Sequence, residues 1–358
     1  MKLINALAQE SNLTSTDNGA VAFKSTLNAN LDFYGCSGNI GTDLTSLRDK
    51  FDLAYTEDSD LALRNLLNMR DIRGGKGVRD NSKELLKHIV TNIDKAESLL
   101  NNFVKVGRFD DLLYVYGVDK NIDMIIENVF IKSLQSENPS LAAKWTPLNQ
   151  KDNTSKKFMS KLRTRLKLTP KQMRHFVVGK RNIVETKMCE NTWEGIEYKT
   201  VPSQAMRIYK NAFSRNDETR FNEYIESVQN GDVKINASTL YPHEVLGRTY
   251  KTPDKVTEAQ WKALPNYIKE GVSILPMVDV SGSMQCKTYG EYMCMDISIA
   301  LGMYLAEKNT TYFKDSFITF DTIPEFVRFK DDECLANRKS KTSNASWGGS
   351  TDLDLHFY

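Results

Sequence analysis

Two kinds of hydrophobic spacing divide this 358-residue chain. From residue 58 to 248 the apolar positions recur at helical intervals. In "DSDLALRNLLNMRDIRG" they fall at 61, 63, 66, 67 and 69, close to the 3.6-residue period, behind acidic and serine residues suited to an N-cap. The glycines of "RGGKG" break that helix. "NSKELLKHIVTNI" starts another, and short helices follow over about 95–105, 108–117 and 121–135. "SKKFMSKLRTRLKL" and "TPKQMRHFVVGKRN" continue the pattern, the second opened by Thr169 as a cap with Pro170 at the first helical position. "VPSQAMRIYKNAF" and "DETRFNEYIESVQNG" add two more, the latter closed by Asn230 and Gly231. No strand alternation intrudes. Consecutive short helices of this kind read as a helical-repeat array or an irregular bundle, although no exact repeat period is found.

At Gly271 the character changes. "VSILPMVDV" is a continuous apolar run of the kind parallel sheets bury, "YMCMDISIALGMYLAEKN" is a long apolar helix, and "SFITFD" and "EFVRFK" read as strands. A loop then leads to "STDLDLHFY", the start of another helix. Strand, helix, strand order is the doubly wound α/β pattern. The expected fold is therefore multidomain, α plus α/β. A partly ordered N-terminal segment over 1–57 precedes a helical region over 58–248. A linker with a short bridging helix over 249–270 leads to an α/β domain over 271–358.

Hydrophobic content of 40% with 26% charged residues is that of globular protein, not of a disordered chain. Nowhere does an apolar run approach the roughly 18 residues of a membrane span, and "MKLINALAQESN" lacks the features of a signal peptide. Five cysteines, at 36, 189, 286, 294 and 334, form no C-x-x-C pair and read as reduced thiols of a cytoplasmic protein. The four histidines are too scattered for a zinc site. The net charge of +2 hides an asymmetry. From Lys144 to Lys187 thirteen Lys and Arg face only Asp152 and Glu185, so this stretch carries +11 and the remainder −9. Trp145, Phe158 and Phe176 are interleaved with these cations. Such a stretch supplies phosphate contacts with base stacking, and a merely solvated basic helix face has the same composition.

In "LPMVDVSGSM" the apolar strand ends in Asp279-x-Ser281-x-Ser283, three oxygen donors at the sheet edge where α/β folds place ligands. Carboxylate and hydroxyl oxygens are hard donors that suit magnesium, while the same residues also serve to cap the following helix. With the strand before it, the helix after it and "GGSTD" some 70 residues on, the motif resembles the von Willebrand factor A domain and its metal-ion-dependent adhesion site (MIDAS). The resemblance implies that Ser281 and Ser283 bind Mg2+ directly and Asp279 through water. It also implies that Thr351 joins them from the second motif, and that an open coordination position accepts an acidic residue of a protein partner. The family's third acidic loop has no counterpart in the 7 residues after Thr351. The domain is thus expected to be incomplete, either truncated or completed by another chain.

"NGAVAF", "LRNLLNMRDIRGGKG", "VGRFDDLL", "AAKWTP", "VVGKRNIVETKMCENTWEGIEYKTVPSQAM" and "FNEYIESVQNGDVKINASTLYPHEVL" together resemble the helical region of Ro/TROVE-type proteins. More closely they resemble a related, poorly characterised family that joins HEAT-like helical repeats to a C-terminal A domain. The resemblance implies a non-enzymatic RNA-binding scaffold of ribonucleoproteins that takes small structured or misfolded RNA. RNA contacts would then fall to Lys156, Lys157, Lys161, Arg163, Arg165, Lys167, Lys171, Arg174, Lys180 and Arg181. Arg70, Arg73 and Lys76 in "RDIRGGKG" are further candidates for phosphate, since a Gly-rich loop exposes backbone N–H groups. An internal ion-pair network of Arg70, Asp71 and Arg73 at a helix corner is the competing reading. The loop is not a Walker motif, because no strand precedes it and no G-K-S/T follows. No enzyme constellation emerges. Ser283 has no partnering histidine, His175 and His243 suit surface or capping roles, and the adjacent Asp110 and Asp111 suit helix capping. Two further readings stay open: a metal-dependent protein–protein interaction module, and an assembly component completed by another chain.

Overall fold

In the computed structural model, residues 12–15, 19–38, 43–288, 292–321 and 323–346 are described. Thr351, the "GGSTD" motif and the helix expected in "STDLDLHFY" lie outside them. The chain divides into two units, residues 1–186 and 187–358.

The first unit opens with an antiparallel ribbon of β1 (Leu13–Ser15) and β2 (Val21–Phe23), with Thr14 opposite Ala22. Ten helices follow: α1 (Ala29–Cys36), α2 (Leu44–Glu57), α3 (Ser59–Arg70), α4 (Asp80–Ile89), α5 (Ala96–Val106), α6 (Phe109–Val115), α7 (Lys120–Leu134), α8 (Ser140–Trp145), α9 (Asn153–Leu166) and α10 (Pro170–Val178). Side-chain caps explain many of the starts. Asp58, Asp119 and Asp152 each accept a backbone N–H from the first turn of α3, α7 and α9. Thr169 and Gln172 form a reciprocal capping box on α10, with Pro170 inside it as the sequence predicts. Packing follows an alternating rule. α3 packs on α5, α5 on α7 and α7 on α9, while α4 packs on α6 and α6 on α8, giving two rows of helices. Between them runs one continuous core, including an aromatic chain in which Phe130 meets Phe109 at 5.1 Å and Phe158 at 4.8 Å, and Phe158 meets Tyr116 at 5.2 Å. The segment before residue 58 takes part in this core through Leu47, Phe51 and Ala54 of α2.

A short helix, α11 (Val184–Cys189), carries the division between the units. The second unit continues with α12 (Ser203–Asn216), α13 (Glu218–Gln229), α14 (Pro242–Leu246) and α15 (Lys255–Lys262). A sheet of β3 (Met277–Val278), β4 (Ser316–Thr319) and β5 (Phe326–Arg328) follows in the order β3–β4–β5, accompanied by α16 (Cys294–Lys308) and α17 (Leu335–Ser343). β3 and β4 are parallel, with α16 between them in sequence; β5 is antiparallel to β4. Mostly helical content with one small mixed sheet fits the α plus α/β expectation at that level.

Three details differ from the sequence reading. The apolar run over 272–280 contributes only two strand residues, and Pro276, with no N–H to offer the ladder, joins it only as an acceptor, its carbonyl taking the Ile318 N–H at 2.9 Å. The bridging helix stops at Lys262, three residues short of Pro265, which disfavours helix in the residue before it. Its segment is also no loose linker. Trp261 and Leu264 share a core with Val278, Ile299, Met303 and Phe317, and the Trp261 indole donates to Glu307 at 2.7 Å. The third difference is α17, which falls where a loop was expected. It is held by Lys339, only 3% exposed, whose Nζ donates to the carbonyls of Leu246 (3.1 Å), Arg248 (2.7 Å) and Lys251 (2.6 Å).

α16 reaches the sheet through Gly302. A Cβ there would lie 2.3 Å from Cγ2 of Val278. Gly302→Ala is therefore expected to lower the unfolding free energy of the whole chain by roughly 1–3 kcal/mol, read by denaturant titration. Burial pushes the Lys339 ammonium down to about 8, with Lys251 adding to the shift and Asp296 opposing it. The unfolded chain keeps that proton up to about 10.4, so the folded state binds fewer protons between these values and gains stability there as pH rises. The stability of the protein measured against a Lys339→Met variant is expected to be flat below pH 8 and to climb from about 8 to about 10.4. A flat difference across that range would remove this account of Lys339.

Candidate functional site

The basic helices α9 and α10 divide their cations into two sets. Asp123 and Glu127, four residues apart on α7, are both buried, and α9 supplies their counter-charges. Lys157 Nζ lies 2.7 Å from Asp123, whose other oxygen accepts the Gly117 N–H at 2.5 Å. Arg165 lies 3.2 Å from Glu127, whose second oxygen accepts the Tyr116 hydroxyl at 2.8 Å. Burial and that bond to Glu127 hold the Tyr116 phenol well above its usual range. Arg181 is spent on backbone, donating to the carbonyls of Ala143 (2.8 Å) and Thr146 (3.0 Å). Lys180 sits 4.9 Å above the Phe176 ring. Four of the ten RNA-contact candidates thus do structural work.

The other six, Lys156, Lys161, Arg163, Lys167, Lys171 and Arg174, have no ion-pair partner among the described residues. Lys156 and Arg163, seven residues apart, share one side of α9, and Lys167 follows the helix as its left-handed cap. Lys171 and Arg174 project from the first turns of α10. Between the two helices lies a cavity of about 400 Å³. Leu148, Met159, Pro170 and Met173 give it an apolar lining, and Arg163, Lys171, Arg174 and Gln150 give it a polar one without any carboxylate. Sequence reasoning found its cations but not the methionines, which are indistinguishable from core residues by spacing alone. The aromatic expectation is corrected for Phe158, which is 0% exposed and packed edge-on against Phe130, so it offers no stacking face. Trp145 lies under the Arg108 guanidinium at 3.7 Å.

The Gly-rich loop is corrected as well. Arg70 is 4% exposed, and both its Nε and an Nη lie 2.8 Å from one oxygen of the fully buried Asp111, which also caps α6 by accepting the Arg108 N–H. The internal ion-pair reading therefore describes Arg70, although its partner is Asp111 instead of Asp71. Five of the loop's amides are consumed locally. Those of Arg73 and Gly74 donate to the Asp71 carboxylate, and those of Lys76, Gly77 and Val78 donate to the carbonyls of Asn68, Asp71 and Met69. At Gly75 the chain passes so close that a Cβ would sit 1.9 Å from the Asn68 carbonyl oxygen. Lys76 Nζ bonds Ser37 Oγ at 2.9 Å and the Tyr34 carbonyl, over the Tyr34 ring. Of the three phosphate candidates only Arg73 keeps an exposed side chain.

At the carboxyl end of β3 the chain turns through Asp279, Ser281 and Ser283. Asp279 Oδ1 accepts the Ser281 N–H at 2.8 Å, and the Ser281 and Ser283 hydroxyls lie 2.9 Å apart at the start of a 3-10 turn over Gly282–Gln285. Neither serine makes a side-chain cap on that turn. The described residues hold no cluster of three or more His, Cys, Asp or Glu fit for a metal. The donor set here is instead one carboxylate and two hydroxyls. Adjacent oxygens around an octahedral Mg2+ with bonds near 2.1 Å stand about 3.0 Å apart, which the two hydroxyls match. None of the described helices is long and apolar enough to cross a membrane.

The two sets of cations are expected to respond differently to truncation. Lys157→Ala with Arg165→Ala strands Asp123 and Glu127 and should cost roughly 1–3 kcal/mol, discounted for the partial exposure of both cations. Lys156→Ala with Lys171→Ala should stay within about 0.5 kcal/mol of the parent. Chemical denaturation of the full chain reads both.

An uncharacterized protein, L728, of Acanthamoeba polyphaga mimivirus is similar at 28% identity over 402 residues, covering 97% of this chain and 68% of that protein. Residues 273–358 match a family described as a domain of unknown function, DUF7788. Residues 16–92 and 124–274, well over half of the sequence, match another, and the chain accordingly belongs to the family described as a domain of unknown function, DUF2828.

Proposed function

We propose that this protein is a non-enzymatic RNA-binding scaffold whose RNA surface is the outward side of α9 and α10. The observation that carries the reading is the cavity between these helices with its rim of Arg163, Lys171 and Arg174 and no carboxylate. Cations that converge without a counter-charge repel one another, and a phosphate removes that cost while releasing its own counter-ions. The apolar lining gives a base a surface on which to rest. The two rows of packed helices support the finer reading of a HEAT-like, Ro/TROVE-like array, since repeats of that kind contact mainly their neighbours.

A second reading rests on the 2.9 Å spacing of the Ser281 and Ser283 hydroxyls. With Asp279 they suit a hard divalent cation, and the parallel pair β3–β4 with α16 between supports a von Willebrand factor A-type domain. A Mg2+ held there would keep a position for an acidic side chain of a protein partner. The two readings concern different units and are compatible.

A fluorescent RNA hairpin with a single-stranded 3′ tail, titrated at about 50 and 200 mM salt, tests the first. The parent should bind with steep salt dependence. A variant carrying Lys156→Glu, Lys161→Glu, Lys171→Glu and Arg174→Glu should lose at least about tenfold in affinity with a shallower salt slope. Salt-insensitive or absent binding by the parent overturns the reading. Mg2+ titration by calorimetry tests the second. Heat of binding lost in Ser281→Ala with Ser283→Ala supports it, and no heat from the parent ends it.

A further inference from the structure

Two cysteines that no sequence motif pairs come together beside the Asp279 turn. Cys286 follows the Gly282–Gln285 turn and Cys294 opens α16, eight residues on, and their sulfurs lie 2.9 Å apart. Both are thiols; Cys286 is exposed and Cys294 half-buried, so an oxidant has access. The main chain imposes the approach. The Cys294 N–H donates to the Cys286 carbonyl at 3.0 Å, Lys287 and Met293 form an antiparallel bridge, and Thr288 bonds the Tyr292 carbonyl through both N and Oγ1, at 3.0 and 2.8 Å. A disulfide needs sulfurs roughly 2.0 Å apart, so the two thiols have only a short distance left to close.

We infer that Cys286 and Cys294 form an oxidisable dithiol that closes to an intrachain disulfide on exposure to a peroxide. The accessible thiolate of Cys286 attacks the O–O bond, giving a sulfenic acid and, with a proton, one water. The Cys294 thiol then attacks the sulfenic sulfur. The S–S bond forms, and hydroxide leaves and takes the Cys294 proton as the second water. Overall two thiols lose two electrons and two protons to hydrogen peroxide, which becomes two waters. Reduced glutathione reverses the step by exchange, itself becoming the disulfide. The chemistry does not depend on the metal or RNA readings. Its effect falls on the loop between β3 and α16. The Ser283 carbonyl accepts the Cys286 N–H at 3.4 Å, so the new bond ties the turn holding Ser281 and Ser283 to the first residue of α16.

The full chain, treated with hydrogen peroxide under native conditions, blocked with a maleimide and digested with trypsin without reduction, tests this. Lys287 lies between the two cysteines and Lys269 and Lys308 flank them, so peptides 270–287 and 288–308 each carry one of the pair. The expected product is these two peptides joined, with three cysteines still alkylated and a raised melting temperature that reverts with glutathione. Cys286→Ser and Cys294→Ser should each abolish the joined pair and the shift, and Cys334→Ser should leave both intact. Alkylation of all five cysteines, over-oxidation of Cys286 without joining, or a mixture involving Cys36, Cys189 or Cys334 would overturn the inference.

Discussion

Two carboxylates buried on α7 govern the first unit. Asp123 and Glu127 are costly to bury without partners, and the cations that reach them, Lys157 and Arg165, come from one helix. That pairing fixes how α9 is rotated about its axis. With Phe158 and Leu162 turned into the core and Lys157 and Arg165 drawn to α7, Lys156 and Arg163 are left on another side by helix geometry, while Lys161 shares the side of the two paired cations. The unpartnered cations facing α10 are thus a consequence of the core's electrostatics as much as of composition.

The Arg70–Asp111 pair does comparable work elsewhere in the same core. One carboxylate neutralises a buried guanidinium and caps α6, and the Gly-rich corner closes beside it by bonding its own amides. A loop that satisfies itself in this way has little left for a ligand. The Asp279 turn is different, because its two hydroxyls face each other without capping the turn they begin. The two loops differ in what closes them: backbone amides bonded to carbonyls and to the Asp71 carboxylate in one, a pair of mutually bonded hydroxyls and the Asp279 carboxylate in the other.

Helix positions were legible where a cap or a breaker marks them, as at Thr169-Pro170 and at Asn230-Gly231, where α13 ends. α2 could also have been read from Leu47, Phe51 and Ala54 at intervals of four and three, had the polar composition around it not obscured them. α17 was not legible. Only Leu335, Lys339 and Thr342 are buried on it, and a buried lysine held by carbonyls looks like a solvated one in sequence. The charge count over 144–187 overstated the free cations because their partners, Asp123 and Glu127, lie outside that window. The Asp-x-Ser-x-Ser motif was visible at once. The neighbouring cysteines were not, since eight residues of separation say nothing until a bridge folds the segment back.

The boundary between the two sequence families falls at residues 273–274, yet the chain's packing ignores it. Trp261, Leu264 and the carbonyls of Leu246, Arg248 and Lys251 belong to the first family's span, and they fill the core and hold the lysine of the second. A gene fragment cut at that boundary would carry a sheet without its indole and an ammonium without its acceptors. The two segments are therefore not interchangeable modules. They constrain each other's substitutions as parts of one folding unit, and recombination that preserves the protein must cut elsewhere.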